Sequence, residues 1–209
     1  MEKQKISIST GNMKLGGIAN FNLPPLKSCT AEACRACGVN GCYALKSYRL
    51  YPNVKTAWGK NLEMVRNELP EVERQLVEYL RKYKKTFFRV HSSGDFEIKG
   101  GSYSGVNYFK MWVRIAEAFP DIQFLAYTKA WGVIFDAIDE GVKIPSNFIL
   151  RLSDWDGVYI PEELKKRFKV AYVVLKPEDA PEGAFICGGD CRTCQRCFFD
   201  AENVAFIKH

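Results

Sequence analysis

The chain has 209 residues, 47% of them hydrophobic and 26% charged, a balance that excludes a disordered or low-complexity protein and supplies a sizeable core. Its 30 Lys and Arg against 24 Asp and Glu leave a net charge of +6, too mild and too dispersed for the dense basic stripe of a dedicated nucleic-acid binder. All eight cysteines fall in two short runs, at 29–42 and 187–197.

The N-terminal stretch MEKQKISIST is charged but lacks a following apolar segment, and no run approaches a membrane span. A cytoplasmic protein without membrane contact is the expectation. Within it, KISIST alternates with period two and reads as a strand, and the glycines of GNMKLGG punctuate it. GGIANFNLPP is glycine-rich without phosphate-loop spacing and reads as a connecting loop.

From Val54 to Leu69 the apolar residues recur with helical period, and Pro70 separates this helix from a second, EVERQLVEYLRKYKK. The basic run RKYKK shares that second helix with Glu71, Glu73 and Glu78 and reads as a solvated face, so nucleic acid is a weakly supported partner. TFFRVHSSGDF then reads as a buried strand ending in a polar turn. Three more helix–strand pairs follow: YFKMWVRIAEAF with IQFLAYTK, GVIFDAIDEG with NFILRLSDW, and PEELKKRF with KVAYVVLK.

This βαβ series predicts a single α/β domain over residues 1–209, built on a parallel sheet or a partial (β/α) barrel. In either form ligands sit at the carboxyl ends of the strands. Those ends carry Arg89, His91, Ser93 and Asp95, then Thr128 and Lys129, then Arg151, Ser153, Asp154 and Asp156. By strand alternation Arg89, His91 and Ser93 point one way, as do Arg151 and Ser153. Helix caps and turns account for the serines and aspartates individually, and Arg89, His91, Asp95, Lys129 and Arg151 are the candidates for a ligand pocket. Tyr43, Tyr48, Tyr51 and Trp58 have helical spacing and read as core packing.

The first cysteine run, Cys29, Cys34, Cys37 and Cys42, has the spacing C-x4-C-x2-C-x4-C, and its first three match plant-type ferredoxins. The second, Cys187, Cys191, Cys194 and Cys197, is C-x3-C-x2-C-x2-C, and its first three match the spacing of radical S-adenosylmethionine enzymes. A reducing cytosol disfavours disulfides. Structural zinc takes paired knuckles separated by a dozen or more residues, which neither run supplies. A cubane is wrapped by several cysteines of one compact loop, so two 4Fe-4S clusters are the expectation. Gly38, Gly41, Gly188 and Gly189 let each loop turn, and Arg35, Arg192 and Arg196 offset thiolate charge. Cys42 or Cys197 ligating across the two runs stays open.

The run GNMKLGGIANFNLPPLKSCTAEACRACGVNGCYALKSYRLYPNV, then FRVHSSGDF, FLAYTKAW, ILRLSDW and the terminal cysteine run, resembles the phage gene product 88 family over nearly the whole chain. The resemblance implies a phage or mobile-element origin, bound iron and sulfur, a distant likeness to radical S-adenosylmethionine barrels, and residence in the host cytoplasm. This chain departs from the radical-enzyme pattern, because its correctly spaced run follows the last strand and each run offers a fourth cysteine, which would close the iron site against S-adenosylmethionine. The favoured expectation is therefore a redox, electron-transfer or sensing role with a redox or host partner. A radical S-adenosylmethionine-like enzyme on a small molecule or nucleic acid, and a zinc-stapled binding module, are the alternatives.

Overall fold

The computed structural model describes residues 4–31, 33, 41–155, 159–199 and 202–208. Their strands form one eight-stranded sheet in the order β1-β2-β3-β4-β5-β6-β8-β7, where β1 is Ile8–Ser9, β2 Ala19–Phe21, β3 Phe87–Val90, β4 Gln123–Thr128, β5 Phe148–Asp154, β6 Lys169–Val174, β7 Ala184–Ile186 and β8 Asn203–Ile207. Only β1 runs antiparallel to its neighbour; every other pair is parallel. The expected α/β parallel sheet is present, with β1 and β7 as its edges.

Strand order decides what covers each face. From β2 to β6 the chain steps steadily one way across the sheet. Right-handed crossovers then place every connection on the same face. These are α1 (Tyr43–Leu50), α2 (Pro52–Asn67) and α3 (Leu69–Tyr83) before β3, then α4 (Gly105–Ala118), α5 (Trp131–Asp139) and α6 (Glu162–Arg167). Their apolar sides bury Phe88, Val90, Phe124, Ala126, Phe148 and Leu150 with Trp112, Leu76 and Ile134, while Leu164 of α6 covers Leu152. Helix α3 buries Leu69, Val72, Leu76 and Leu80 at helical spacing. Helix α4 starts at a capping box in which Ser104 and Asn107 satisfy each other's backbone N–H groups.

The chain reverses at the end. β7 lies beyond β8, so the connection from β7 back to β8 steps the other way and, kept right-handed, crosses the opposite face. That connection is the second cysteine run. It carries the short helix α7 (Cys191–Cys194) and a 3-10 turn, Arg196–Phe198. Cys197 and Phe198 pack on Leu125 and Ile149, with Phe87, Tyr127, Phe185 and Phe206 around them.

Two sequence expectations change here. GGIANFNLPP contains β2, not only a loop, because Ala19 and Phe21 alternate with Asn20 on a strand paired to both β1 and β3. The tyrosines after the first run are not core: Tyr43 is 70% and Tyr51 is 55% exposed, while Tyr48 stacks on Trp58 at 6.1 Å. The RKYKK face is solvated, and Arg74 on the same helix pairs with Glu71 and Glu78. Among the described residues no helix is long and apolar enough to cross a membrane.

Candidate metal centre

The face opposite the helices carries two buried arginines. Arg151, in the middle of β5, is fully buried; its Nε donates to the carbonyl oxygen of Cys197 at 3.1 Å and its Nη1 to the carbonyl of Glu202. Its Nη2 is buried and has no hydrogen-bond partner among the described residues. Arg89 of β3 is 9% exposed, donates from Nε to the carbonyl of His91 at 3.0 Å, and stacks on the Tyr127 ring at 4.0 Å. Among the described residues neither arginine pairs with a carboxylate.

Two of the four C-terminal thiols, Cys191 and Cys197, lie within electrostatic reach of these cations. Arg89 acts electrostatically on Cys191 and Cys197, and Arg151 on Cys197. Burial pushes the Cys191 thiol up to about 11, a rise that Arg89 opposes and the neighbouring Cys187, Cys197 and Cys194 reinforce. Burial also raises Cys197, against the pull of the Tyr127 hydroxyl and Arg151. Metal-free, Cys191 and Cys197 hold their protons at neutral pH, and a metal would displace them. Cys42, Cys187, Cys191, Cys194 and Cys197 are free thiols. Among the described residues no three His, Cys, Asp or Glu side chains are drawn together closely enough to hold a metal ion.

Local backbone explains how the run wraps. Cys187 closes β7 with its N–H donated to the Ala205 carbonyl at 2.8 Å. Gly189 takes a left-handed turn (φ +79°), and Asp190 caps α7 by accepting from the Arg192 N–H at 3.0 Å. Gln195, also left-handed at φ +53°, ends α7 and turns the chain down onto the sheet at Cys197. Gly16 lies so close to this run that a Cβ there would meet the Cβ of Arg192 at 2.2 Å.

The other pocket candidates engage different partners. His91 leaves the strand alternation at φ +62°, so its side chain does not follow Arg89 but turns to α4, where Nε2 meets the Tyr108 hydroxyl at 2.8 Å. Burial, helped by Arg89, pulls its pKa down to about 3, so it is neutral. Asp95 accepts from the Thr128 hydroxyl (2.6 Å), the Lys129 N–H (2.7 Å) and the Phe96 N–H (2.8 Å), tying the loop after β3 to the end of β4; burial raises its pKa. Lys129 sits over the Trp155 ring at 5.2 Å. Arg89 and Arg151 are thus joined with the C-terminal cysteines, whereas His91, Asp95 and Lys129 hold neighbouring loops and helices.

The first run follows the carboxyl end of β2. Cys29 and Cys42 are half-buried there; Cys34 and Cys37, with Arg35 and Gly38, lie outside the described residues. Its exit is fixed by Tyr43, whose hydroxyl donates to the Ser92 carbonyl. Sequence reasoning passed over the asparagines that build this edge. Asn22 accepts from the Ser92 N–H (2.7 Å) and hydroxyl (2.9 Å) and from the Ser93 N–H (3.2 Å), and Asn61 of α2 clamps Ser7 and the Asn22 carbonyl. The alternation of Asn20 and Asn22 with apolar residues was the available signal. Tyr127 was also passed over, and only its parity with Arg89 across paired strands could have pointed to it.

No curated protein and no solved structure matches the chain. The family model described as gene product 88 matches residues 2–203, and the chain belongs to that family.

Proposed function

We propose that this is an iron–sulfur protein with a redox role, in electron transfer or sensing, whose eight cysteines hold two 4Fe-4S clusters. The observation that carries this is the pair of buried guanidinium groups, Arg89 and Arg151, which lie near the Cys191 and Cys197 thiols and pair with no carboxylate among the described residues. An uncompensated buried cation costs several kcal/mol, roughly 3–5 where its partner is removed. Four thiolates around a 4Fe-4S core leave about two negative charges, which two arginines match. By residue type, four thiolates from one short run are the donors such a cluster takes. Cys187, Cys191, Cys194 and Cys197 would hold one cluster and Cys29, Cys34, Cys37 and Cys42 the other.

When bound, such a cluster supplies one-electron transfer. The chain's own residues do the rest. Arg89 and Arg151 balance charge, Phe198 and Phe87 exclude water from the sheet side, and Tyr127 sits beside the Cys197 sulfur. Zinc on the same thiolates would satisfy the same charges, and the run spacing argues against it.

A second reading, a radical S-adenosylmethionine-like enzyme on a partial (β/α) barrel, is favoured by one observation. The strands from β2 to β6 are in sequential order, and the first cysteine run follows the first parallel strand at its carboxyl end. The test of the leading proposal is anaerobic purification with metal analysis and an absorption spectrum. About eight iron and eight sulfide per chain, with a brown chromophore, is the expected result. Stoichiometric zinc without sulfide would overturn it.

A further inference from the structure

The four C-terminal cysteines are held very unequally. Cys197 is 9% exposed, packed against Leu125, Ile149 and Phe198, and its carbonyl is fixed by Arg151. Cys187 is tied into the sheet by its own backbone hydrogen bond to Ala205. Cys191 opens α7, is half-buried, and lies within electrostatic reach of Arg89. Cys194, at the last position of that four-residue helix, is exposed, and the next residue turns left-handed.

Resting on the iron–sulfur reading, we infer that Cys194 is the exchangeable ligand of the C-terminal site, the corner at which an external oxidant or ligand reaches the metal, while Cys187 and Cys197 are fixed ligands. A helix of one turn contributes almost no stability of its own. Displacing Cys194 breaks only that turn, where Cys194 donates its N–H to the Asp190 carbonyl at 3.2 Å. Displacing Cys197 would pull Phe198 out of its contact with Phe87, at 4.8 Å between ring centroids, and free the carbonyl that Arg151 holds. Exposure and weak local support fall on the same residue, as they do at redox-sensitive cysteines elsewhere. The site is then built to lose one corner and keep three.

The test uses the anaerobically purified full chain and limiting ferricyanide. The oxidant takes one electron from a four-iron cluster, one ferrous ion departs, a three-iron cluster remains, and one thiolate is freed. Iodoacetamide added without denaturant traps that thiolate, and peptide mass spectrometry identifies it. The expected result is the EPR signal of a three-iron cluster with alkylation at Cys194 several-fold above that at Cys187, Cys191 or Cys197. Equal labelling of the four, labelling led by Cys197 or Cys187, or labelling confined to the first run overturns the inference. Starting protein without iron and sulfide instead overturns the reading on which it rests. As a second arm, Cys194→Ser is expected to retain a cluster at this site and Cys197→Ser to lose it; the reverse order counts against the inference.

Discussion

Arg151 and Cys197 lie 46 residues apart, yet the arginine Nε holds the cysteine carbonyl at 3.1 Å from beneath, with the Nη2 of the same guanidinium buried and unpartnered among the described residues. A guanidinium has five N–H donors in a fixed fork, and here the fork is only partly used. The unused donor points to an anion that belongs at this place. On the iron–sulfur proposal, thiolates bound to metal would supply one.

It follows that Arg151→Met should separate fold from cofactor. In the metal-free protein the variant loses donors to two carbonyls and also sheds a buried, unpaired charge, so the melting temperature should move little. Loading is different. Outer partners of metal ligands typically contribute 10- to 100-fold in metal affinity. The variant should lose iron to a chelator about 10- to 100-fold more readily than the natural protein, read by the fading of the visible absorption.

His91 gives the protein an acid-sensitive joint. Its folded pKa, about 3, lies below the unfolded value near 6.5, so the unfolded chain binds a proton that the fold refuses. Stability is complete above pH 6.5 and falls as the pH drops toward 3, by about 2 kcal/mol at pH 5 from this residue. Asp95, whose folded pKa is raised, acts in the opposite sense as the pH drops toward its unfolded pKa. His91→Asn keeps a residue tolerant of the left-handed backbone at φ +62° and leaves Asp95 in place. Urea unfolding at pH 7 and pH 5 should show the pH difference shrinking in the variant; an unchanged difference would show that His91 does not set it.

The helix–strand rhythm was legible because α3, α4 and the strands β3 to β6 each have one strong period and long apolar faces. The exact use of the two faces was not. It depends on the reversed order of β8 and β7, and those strands, Ala184–Ile186 and Asn203–Ile207, are short and flank a cysteine run whose composition reads only as loop. β2 escaped for a similar reason: three residues between Gly-Gly and Pro-Pro carry little signal, and the strand is fixed by Asn61 reaching over from α2. In the site, Arg89 and Arg151 were visible as charges inside apolar strands. His91 was visible too, but its turn to Tyr108 comes from a single left-handed residue that no alternation rule anticipates.

Two glycines predict opposite effects of the same change. Gly94 sits at φ +84°, where a Cβ would lie 2.6 Å from the Ser28 hydroxyl and 2.9 Å from the Leu23 carbonyl. Gly94→Ala should cost about 2 kcal/mol or more, from strain and overpacking together. Gly59 is inside α2 with open space around it. Gly59→Ala should stabilise by about 0.5–1 kcal/mol, because glycine is a poor helix former. Chemical denaturation of the two variants measures both, and the ordering reverses only if the close approach at Gly94 is absent.

The two iron–sulfur readings differ in how many thiolates each cluster receives. Cys191→Ser removes a thiolate from the C-terminal run, and Cys34→Ser one from the first; if each run holds its own cluster, each variant should lose iron and sulfide at one site, and the two EPR spectra should differ. With four thiolates per cluster, no iron is left open to bind an amino-acid substituent of a cosubstrate. Incubating the natural protein with S-adenosylmethionine and dithionite should therefore form no 5′-deoxyadenosine and leave the reduced-cluster spectrum unchanged. Should 5′-deoxyadenosine form, the variants locate its source. Production lost in Cys34→Ser and kept in Cys191→Ser would place an open iron at the carboxyl end of β2, where the enzyme reading puts it, and the C-terminal cluster on its bed of Arg89 and Arg151 would then serve to carry electrons.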